Sequence, residues 1–408
     1  MEFDSDIAIA GGGLNGTALA LALARSGLTV AIVDPAPAAR RKKRGFDGRS
    51  YAMAVASCRV LAGLGLWDAL APGAQPIHEI KVSDGRPGQG PSPLMLEFDH
   101  AELEEGPMGH MVEDRHLRPT LLNAVEQESR IKRFDKISVE GHAATPGGVE
   151  ISLSNRKTLR AKCLVAADGR ESPTRARAGI ARVTWKYGQT ALVCAIGHEL
   201  THQGIAHQFF MPSGPLAVLP LRENHASIVW TERTGFAEEI NALPEEDYLD
   251  ILRPRFGSFL GEISLAGDRY TYPLGLSLAH SFVADRVALL GDAAHGVHPI
   301  AGQGLNAGLR DVAALAEVLV DAHRRGEDIG RGEVLERYQQ WRRFDATALA
   351  LATDGFNRLF SNDNAILRLG RGLGLGGVGA IAVLRRGFMR EAAGLNGTLP
   401  RLAAGQTL

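Results

Sequence analysis

The pattern of apolar and polar positions predicts two similar strand–turn–helix units, one near each end of the chain. Residues 6–10 (DIAIA) form a short apolar run, and GGGLNG and the helical pattern TALALALARSG follow. In the second unit, the apolar run 287–290 is typical of a strand covered on both faces. After the glycine-bearing loop 295–304, apolar residues recur at helical spacing, at Leu305, Leu309, Val312, Leu315 and Leu319.

Between the two units the pattern changes to short strands. Residues 185–232 contain the runs ALVCAI, AHQFFM, PLAVLPL and ASIVWT, which turns separate, so this region predicts an antiparallel sheet. Residues 76–100 read as a strand excursion, 111–127 as a helix, and 136–167 as a hairpin followed by a strand. A helix is expected near 245–256, and 345–395 is helical and amphipathic.

The chain is therefore predicted to be a mixed α/β (α+β) protein with more than one domain. At 408 residues it exceeds what one hydrophobic core usually covers. The predicted nucleotide domain is of the Rossmann type and the predicted substrate domain is an antiparallel sheet. The boundaries are 1–75, 101–182 and 273–345 for the nucleotide domain, 76–100 and 183–272 for the substrate domain, and 346–408 for a C-terminal helical segment.

Composition and charge exclude several classes of function. A formal net charge of −1 gives no general attraction to nucleic acid. The three cysteines, Cys58, Cys163 and Cys194, are isolated, so neither a disulfide framework nor a thiolate metal site is indicated. The acidic amino terminus does not read as a signal peptide, and the apolar segment 372–384 is too short to span a bilayer. We expect a cytoplasmic protein, with peripheral contact at the inner face of the membrane left open.

The first glycine segment predicts dinucleotide binding. Gly11, Gly13 and Gly16 match GxGxxG, with Leu14 and Asn15 between them. In this motif the first glycine allows a tight turn, the second admits a pyrophosphate, and the third lets helix pack on strand. Asp34 ends the next strand, where an acid would meet a ribose hydroxyl. The acid alone does not separate NAD from FAD.

The second glycine segment predicts the other end of a cofactor pocket. Gly291 permits a turn, and Asp292 places a carboxylate at the end of the strand, where it can accept hydrogen bonds from hydroxyl groups. The loop then leads into a helix N-terminus, whose free N–H groups favour negative charge. The residues predicted to contact the cofactor there are Gly302, Gln303, Gly304, Leu305 and Asn306.

These motifs resemble those of a known family. GDAAH followed by HPxxGQGxN at 291–306, and DGxxSxxR at 168–175, resemble the FAD motifs of the single-component flavin-dependent aromatic hydroxylases. Within that group the chain is most similar to the hydroxylases of ubiquinone biosynthesis, and the similarity extends into the C-terminal segment. The resemblance implies that NADH or NADPH reduces FAD and that O2 supplies the oxygen added to a phenol ring. It also implies a polyprenyl-substituted, lipid-linked substrate.

The resemblance further implies roles for individual residues. Arg49 would contact the FAD phosphates, and Arg115 would lie beside the ribityl chain or be an ordinary surface arginine. Asp168 would lie near the pyrophosphate or contact NAD(P)H, and Pro299 would line the flavin. Backbone N–H groups at 304–306 would face the pyrimidine edge of the flavin.

The catalytic base is not identified by the sequence. His298 and Pro299 are the candidates nearest the reaction centre, and the alternative for His298 is an ordered loop histidine with a satisfied hydrogen bond. His295 and His298 lack an evident third ligand, so no metal site is predicted. Two other functions stay open: an FAD-dependent reductase or dehydrogenase, and a catalytically silent flavoprotein of a biosynthetic assembly.

Three further segments have competing interpretations. The basic run 40–44 is a solvated loop or attracts phosphates of FAD or NAD(P)H, and the glycines at 374, 376 and 379 favour helix packing over a second nucleotide site. Residues 365–390 carry interspersed leucines and arginines, including Arg385 and Arg386. This segment is either a membrane contact or a buried packing helix. Partner proteins of the ubiquinone pathway are the alternative route of substrate delivery.

Overall fold

The computed structural model describes residues 2–37, 45–88, 90–103, 105–298, 300–361, 374, 377–378 and 380–408. Pro299, the basic run 40–44 and most of 362–379 lie outside these residues, so the predictions made for them are not addressed. The helices are α1 (Leu14–Arg25), α2 (Val55–Gly63), α3 (Trp67–Leu70), α4 (Asp114–Gln127), α5 (Pro173–Arg177), α6 (Thr234–Ala242), α7 (Glu245–Phe256), α8 (Gln303–Arg324), α9 (Gly332–Phe360) and α10 (Ala382–Ala392). The strands are β1 (Ser5–Ala10), β2 (Val30–Asp34), β3 (Ser50–Ala54), β4 (Gln75–Ile77), β5 (Glu79–Arg86), β6 (Gly90–Asp99), β7 (Gly109–Glu113), β8 (Ile131–Asp135), β9 (Val139–Thr145), β10 (Gly148–Leu153), β11 (Thr158–Ala166), β12 (Arg182–His198), β13 (Ile205–Met211), β14 (Gly214–Pro220), β15 (His225–Arg233), β16 (Ile263–Leu265), β17 (Tyr270–Ala279), β18 (Val283–Ala284), β19 (Val287–Leu289) and β20 (His295–Gly296).

The first sheet holds both glycine segments at the carboxyl ends of its strands. Its order is β18–β19–β11–β1–β2–β8, and the pairs from β19 to β8 are parallel. The central strands are covered on both faces, since the consecutive residues Ile7, Ala8 and Ile9 are all fully buried. Helix α1 packs against α4 and α8. This arrangement confirms the predicted Rossmann-type sheet.

The second sheet is antiparallel apart from one pair. Its order is β20–β17–β12–β15–β14–β13–β5–β6, with β5 parallel to β13. Successive side chains of β12 point to opposite faces. Leu192 and Cys194 pack in the core formed with α6 and α7, whereas Ala191 and Val193 line a cavity on the other face. The same alternation in β14 explains why this strand is apolar throughout.

Three predicted boundaries are wrong in detail. The helical region predicted to begin at 345 begins at Gly332, as α9. The helix predicted for 111–127 begins at Asp114, because residues 111–113 pair with β3 as part of β7. The loop predicted for 295–304 contains β20 and a short 3-10 helix at 300–302, so α8 begins at Gln303. The excursion at 76–100 supplies β5 and β6 to the second sheet. The division into domains stays a prediction.

Helix α9 connects the two sheets. Near its start, the hydroxyl of Tyr338 donates to the carbonyl of Leu289 at 2.8 Å, in the first sheet. Near its end, the Trp185 indole N–H donates to Asp354 at 3.0 Å, in the second sheet. In the part of the chain that the structure describes, no helix combines the length and apolar character that crossing a bilayer requires.

Candidate active site

The first glycine loop is an open cradle on a tightly packed base. A Cβ at Gly11, where φ is +109°, would lie 2.2 Å from the Ala167 carbonyl oxygen. A Cβ at Gly16 would lie 2.1 Å from the Gly11 carbonyl oxygen. At Gly13, which has no side chain to cap α1, a Cβ would meet nothing within 4 Å. The N–H groups at the start of α1 therefore face free space, as a pyrophosphate requires.

Asp34 supports this loop from beneath. Its buried carboxylate accepts hydrogen bonds from the backbone N–H of Gly12 and, at 2.7 Å, from that of Ala36. The predicted contact with a ribose hydroxyl stays a prediction. The geometry adds a second task, because the same carboxylate fixes the glycine turn.

The second glycine segment meets the first at one cavity. Asp292 is exposed and lines this cavity together with Gly13. Leu14, Asn15, Gly16 and residues 302–306 also line it. Gly302 adopts a left-handed conformation, with φ of +64°, at the N-cap of α8. The structure therefore brings together two helix N-termini and an exposed acid from opposite ends of the chain.

Asn15 joins the two units directly. A Cβ at Gly308 would lie 2.1 Å from its Nδ2 atom, and one at Gly291 would lie 2.5 Å from it. A side chain at either position would displace the Asn15 amide, and at Gly291 the φ of +58° also favours glycine. The Oδ1 atom of Asn15 is buried and has no hydrogen-bond partner among the described residues.

The side chain of Asn306 clamps α8 to the segment around β3. Its Oδ1 accepts from the Ala54 N–H at 2.9 Å and the Ser57 hydroxyl at 2.7 Å. Its Nδ2 donates to the carbonyls of Ala52 at 2.8 Å and Gly302 at 3.0 Å. The side chain thus acts within the protein, while the backbone at 304–306 borders the cavity. The sequence analysis missed Ser57.

Two predicted arginines occupy different environments. Arg49 lines the cavity and pairs with Asp47 through Nε at 3.0 Å and Nη2 at 2.7 Å. This pairing raises the pKa of Arg49 and keeps the guanidinium charged. Arg115 instead pairs with Glu113 and lies over the Phe46 ring, with 5.0 Å to its centroid.

Arg118, and not Arg115, lines the cavity from helix α4. Its Nη2 donates to Asp114 at 2.8 Å. The role predicted for Arg115 is untested and stays a prediction, but the geometry favours Arg118 for it. The sequence could not separate them, because both lie in the first turns of α4 and the choice depends on how the helix is rotated against the sheet.

Asp168 caps a short helix. Its carboxylate accepts from the Ser172 hydroxyl and, at 3.1 Å, from the Thr174 N–H at the start of α5. The neighbours Gly169 and Arg170 line the cavity. The predicted contact of Asp168 with pyrophosphate or NAD(P)H therefore stays a prediction, and Arg170 is an additional cation that the sequence analysis did not single out.

A buried ionic network lies behind the second glycine segment. Asp311, fully buried on α8, accepts from the Gly291 N–H at 3.1 Å, from His295 Nε2 at 2.6 Å and from Arg342 Nε at 2.8 Å. Burial alone would raise the pKa of Asp311, but His295 and Arg342 outweigh it and lower the pKa to about 2. The sequence analysis missed this network, although an acid on the apolar face of a predicted helix indicates a buried ion pair.

His298 lacks the hydrogen-bond partner of the favoured alternative among the described residues, and both interpretations of this residue stay predictions. The residue is fully buried, and neither ring nitrogen has a partner among the described residues. Its ring meets the edge of Tyr187 with 5.3 Å between centroids. Burial lowers the pKa of His298 to about 4. Within the described ranges, no group of three His, Cys, Asp or Glu residues could hold a metal ion.

The cavity continues from the glycine segments to the second sheet. Its volume is about 1510 Å³. The wall beyond the glycine segments is mostly apolar and comes from β5, β6, β12, β13, β14 and β15 on one side and α9 on another. Such a cavity accommodates a nucleotide cofactor at one end and an apolar ligand at the other.

The residues fit FAD. The open cradle at Gly13 suits the pyrophosphate, Asp292 suits a hydroxyl, and the α8 N-terminus suits polar groups of the cofactor. Fold, glycine segments and cavity together define a flavin-dependent monooxygenase of the aromatic-hydroxylase class. The chain belongs to the FAD binding domain family, whose model matches residues 4–353. The predictions of fold class, FAD and monooxygenase class are therefore confirmed.

Individual relatives agree with this membership. The chain is 44% identical over 407 residues to a ubiquinone hydroxylase of Rhodospirillum rubrum, covering 99% of this chain and 94% of the relative. It is 35% identical to the 3-demethoxyubiquinol 3-hydroxylase of Escherichia coli, covering 96% and 99%. Among solved structures, it has the fold of p-nitrophenol 4-monooxygenase from Pseudomonas putida, with a TM-score of 0.79, 20% identity and coverage of 97% and 99%.

Proposed function

We propose that this monooxygenase hydroxylates the ring of a polyprenyl-substituted phenol on the route to ubiquinone. The names of the two relatives support the pathway. The observation that carries the lipid-linked substrate is the apolar extension of the cavity. The whole cavity measures about 1510 Å³, more than the ~300–1,000 Å³ of ordinary ligand pockets, so it can hold an apolar substrate beside FAD.

The walls of this extension favour a prenyl chain over a small polar phenol. Leu96, Phe98, Val193, Phe210 and Leu219 all line it. A buried methylene is worth about 0.8 kcal/mol, so each prenyl unit adds several kcal/mol of gross binding. A hydroxylated aromatic acid would gain little from these walls and would leave its polar groups unpaired.

The described residues can bind and orient the cofactor and the substrate, and they can exclude water from the site. Bound FAD supplies the redox chemistry and the activation of O2. The N-terminus of α1 and Arg49 favour the cofactor phosphates, Arg118 would lie beside the ribityl chain, and the N-terminus of α8 favours negative charge at the opposite end. The apolar faces of β12 and β15 keep water from the ring that reacts.

The test compares phenols of different chain length in detergent micelles. Purified holoenzyme should oxidise NADH or NADPH and form hydroxylated product with a long-chain polyprenyl phenol. Ala352→Trp narrows the cavity at α9, whereas Ala348→Trp, one turn away, lies outside the cavity lining. We expect Ala352→Trp to lower kcat/KM at least about tenfold for the long-chain phenol, because a filled cavity excludes the chain.

The variant Ala348→Trp and a short-chain phenol test whether the effect is specific to the long prenyl chain. Ala348→Trp should match the wild type with both phenols, and Ala352→Trp should retain activity with the short-chain phenol. No product from any polyprenyl phenol would refute the proposed substrate. In a deletion strain, mass analysis of the quinone precursors that accumulate would identify the position hydroxylated.

A further inference from the structure

The exposed face of the C-terminal half of α9 is apolar along four turns. We call this face the α9 stripe; its members are Phe344, Ala348, Leu351, Ala352, Gly355, Phe356 and Leu359. Their spacing places them on one side of the helix. Phe344 is 79% exposed and Leu351 is 61% exposed, although the opposite face of α9 is buried and could hold apolar side chains. Such a face needs a partner.

The α9 stripe runs directly into the cavity. Ala352, Phe356 and Leu359 belong to the stripe and also line the cavity. Helix α10 contributes a second exposed apolar surface at the same cavity, since Phe388 lines it and is 45% exposed. On α10, Val383 is 72% exposed, and Met389 is the one buried residue among those described. For its described part, the interpretation of this segment as a buried packing helix is therefore wrong.

The charges around this surface are basic. Arg343, Arg386 and Arg390 are exposed on the two helices. Of the neighbouring acids, Asp345 pairs with Arg342 at 2.8 Å and Asp354 with Arg358 at 2.9 Å, and Glu391 accepts a hydrogen bond from Asn396 at 2.9 Å. Arg385 is engaged with Glu102 at 2.9 Å, so Arg386 is the better probe of α10. Apolar side chains between arginines suit a surface of anionic lipid.

We infer that the α9 stripe and the exposed face of α10 dock the protein on an anionic bilayer, and that the prenyl chain enters the cavity between them. This inference rests on the proposed function, which requires a substrate dissolved in the membrane. A second copy of the chain is a poorer occupant, because a symmetric contact would set one basic rim against another. An anionic bilayer can contact the apolar side chains with its acyl region and the arginines with its headgroups.

The experiment measures binding of the full-length holoenzyme to lipid vesicles by co-sedimentation. One set of vesicles is phosphatidylcholine, and the other also contains phosphatidylglycerol. The wild type should bind the anionic set more strongly. Leu351→Ser should lower the partition coefficient about tenfold, because a leucine no longer enters the acyl boundary. Arg386→Glu should lower it at least about fivefold on anionic vesicles.

Two matched variants serve as controls. Leu200→Ser alters a leucine that is 50% exposed beyond β12, and Arg130→Glu alters an exposed arginine before β8. Both should bind vesicles as the wild type does. Negligible binding by the wild type, or equal loss in Leu200→Ser and Leu351→Ser, would overturn the inference. Self-association of the wild type that Leu351→Ser abolishes would also overturn it, in favour of an interface between copies.

Turnover in micelles separates failure of this inference from failure of the proposed function. Hydroxylation of a long-chain phenol in micelles without vesicle binding would overturn the docking surface and leave the substrate intact. Vesicle binding that depends on Leu351 and Arg386, with no hydroxylation of any polyprenyl phenol, would support docking and overturn the substrate.

Discussion

Replacement of Asp311 by Asn tests whether the buried ionic network holds the second glycine segment in place. The side chain keeps its shape, but Arg342, which is 3% exposed, loses its fully buried partner and retains Asp345, which is 49% exposed. The amide of the new Asn also carries N–H groups, and these would face the hydrogen-bond donors that the Asp311 carboxylate accepts from. Leaving a buried charge without its partner costs about 3–5 kcal/mol, so we expect a loss of that size in unfolding free energy.

The control for this substitution lies on the same helix. Asp321 pairs with Arg401 but is 36% exposed, so Asp321→Asn should cost less than about 1 kcal/mol. Urea unfolding followed by tryptophan fluorescence measures both variants. Titration with FAD should show about a fivefold weaker affinity for Asp311→Asn, because the hydrogen bond to the Gly291 N–H is weakened. Equal unfolding free energies for the two variants would refute the argument.

The pH dependence gives an independent check on Asp311. Its pKa is lowered to about 2 from 3.8, so the folded protein holds the carboxylate ionised more strongly than the unfolded chain does. The stabilisation is fully present above about pH 4 and is lost as the pH falls toward 2, with a size of about 2 kcal/mol. A double variant, Asp311→Asn with Arg342→Met, should recover part of the loss, because no buried charge then lacks its partner.

Three further predictions concern the cofactor site and His298. Asp292→Ala should raise the FAD dissociation constant about ten- to a hundredfold, because a charge-assisted acceptor worth roughly 1.5–3 kcal/mol is removed; unchanged affinity in a fluorescence titration would contradict the assignment. Gly16→Ala should lower the melting temperature of the apoprotein, since its Cβ would lie 2.1 Å from a carbonyl oxygen. Gly13→Ala should weaken FAD binding without lowering the melting temperature. Equal melting temperatures of the two variants by circular dichroism would contradict the close packing at Gly16. For His298, with its pKa lowered to about 4 from 6.5, the stabilisation is present above pH 6.5 and declines toward pH 4 by up to about 3 kcal/mol; His298→Gln should flatten this dependence, and parallel curves would exclude His298 as its source.

The elements and the cofactor class could be predicted because their signals are local. Gly11, Gly13 and Gly16 follow one strand at fixed spacing, and each of the three meets the steric demand expected of it. Apolar periodicity likewise identified α8, since Leu309, Val312 and Leu315 are buried on one face. Such patterns depend on residues within a few turns of one another and are therefore readable from the chain.

The contacts that were missed join residues far apart in the chain. Asp311 and Arg342 lie on different helices, and nothing in either helix indicates how the two are oriented. Arg118 and Arg115 differ by one turn of α4, so the choice between them depends on the rotation of the helix against the sheet. The unpartnered burial of His298 follows from the packing of β12 and the loop before α8, which no local pattern specifies.

The Asn306 clamp has a consequence for biosynthesis of the protein on the ribosome. It joins Ala54 to a residue 252 positions later. Strand β1 likewise pairs with β11, which is synthesised much later. At about 5–20 residues per second, the first glycine loop emerges on the order of ten to fifty seconds before the second can close over it. Binding of FAD between both glycine segments therefore becomes possible only late in the synthesis of the chain.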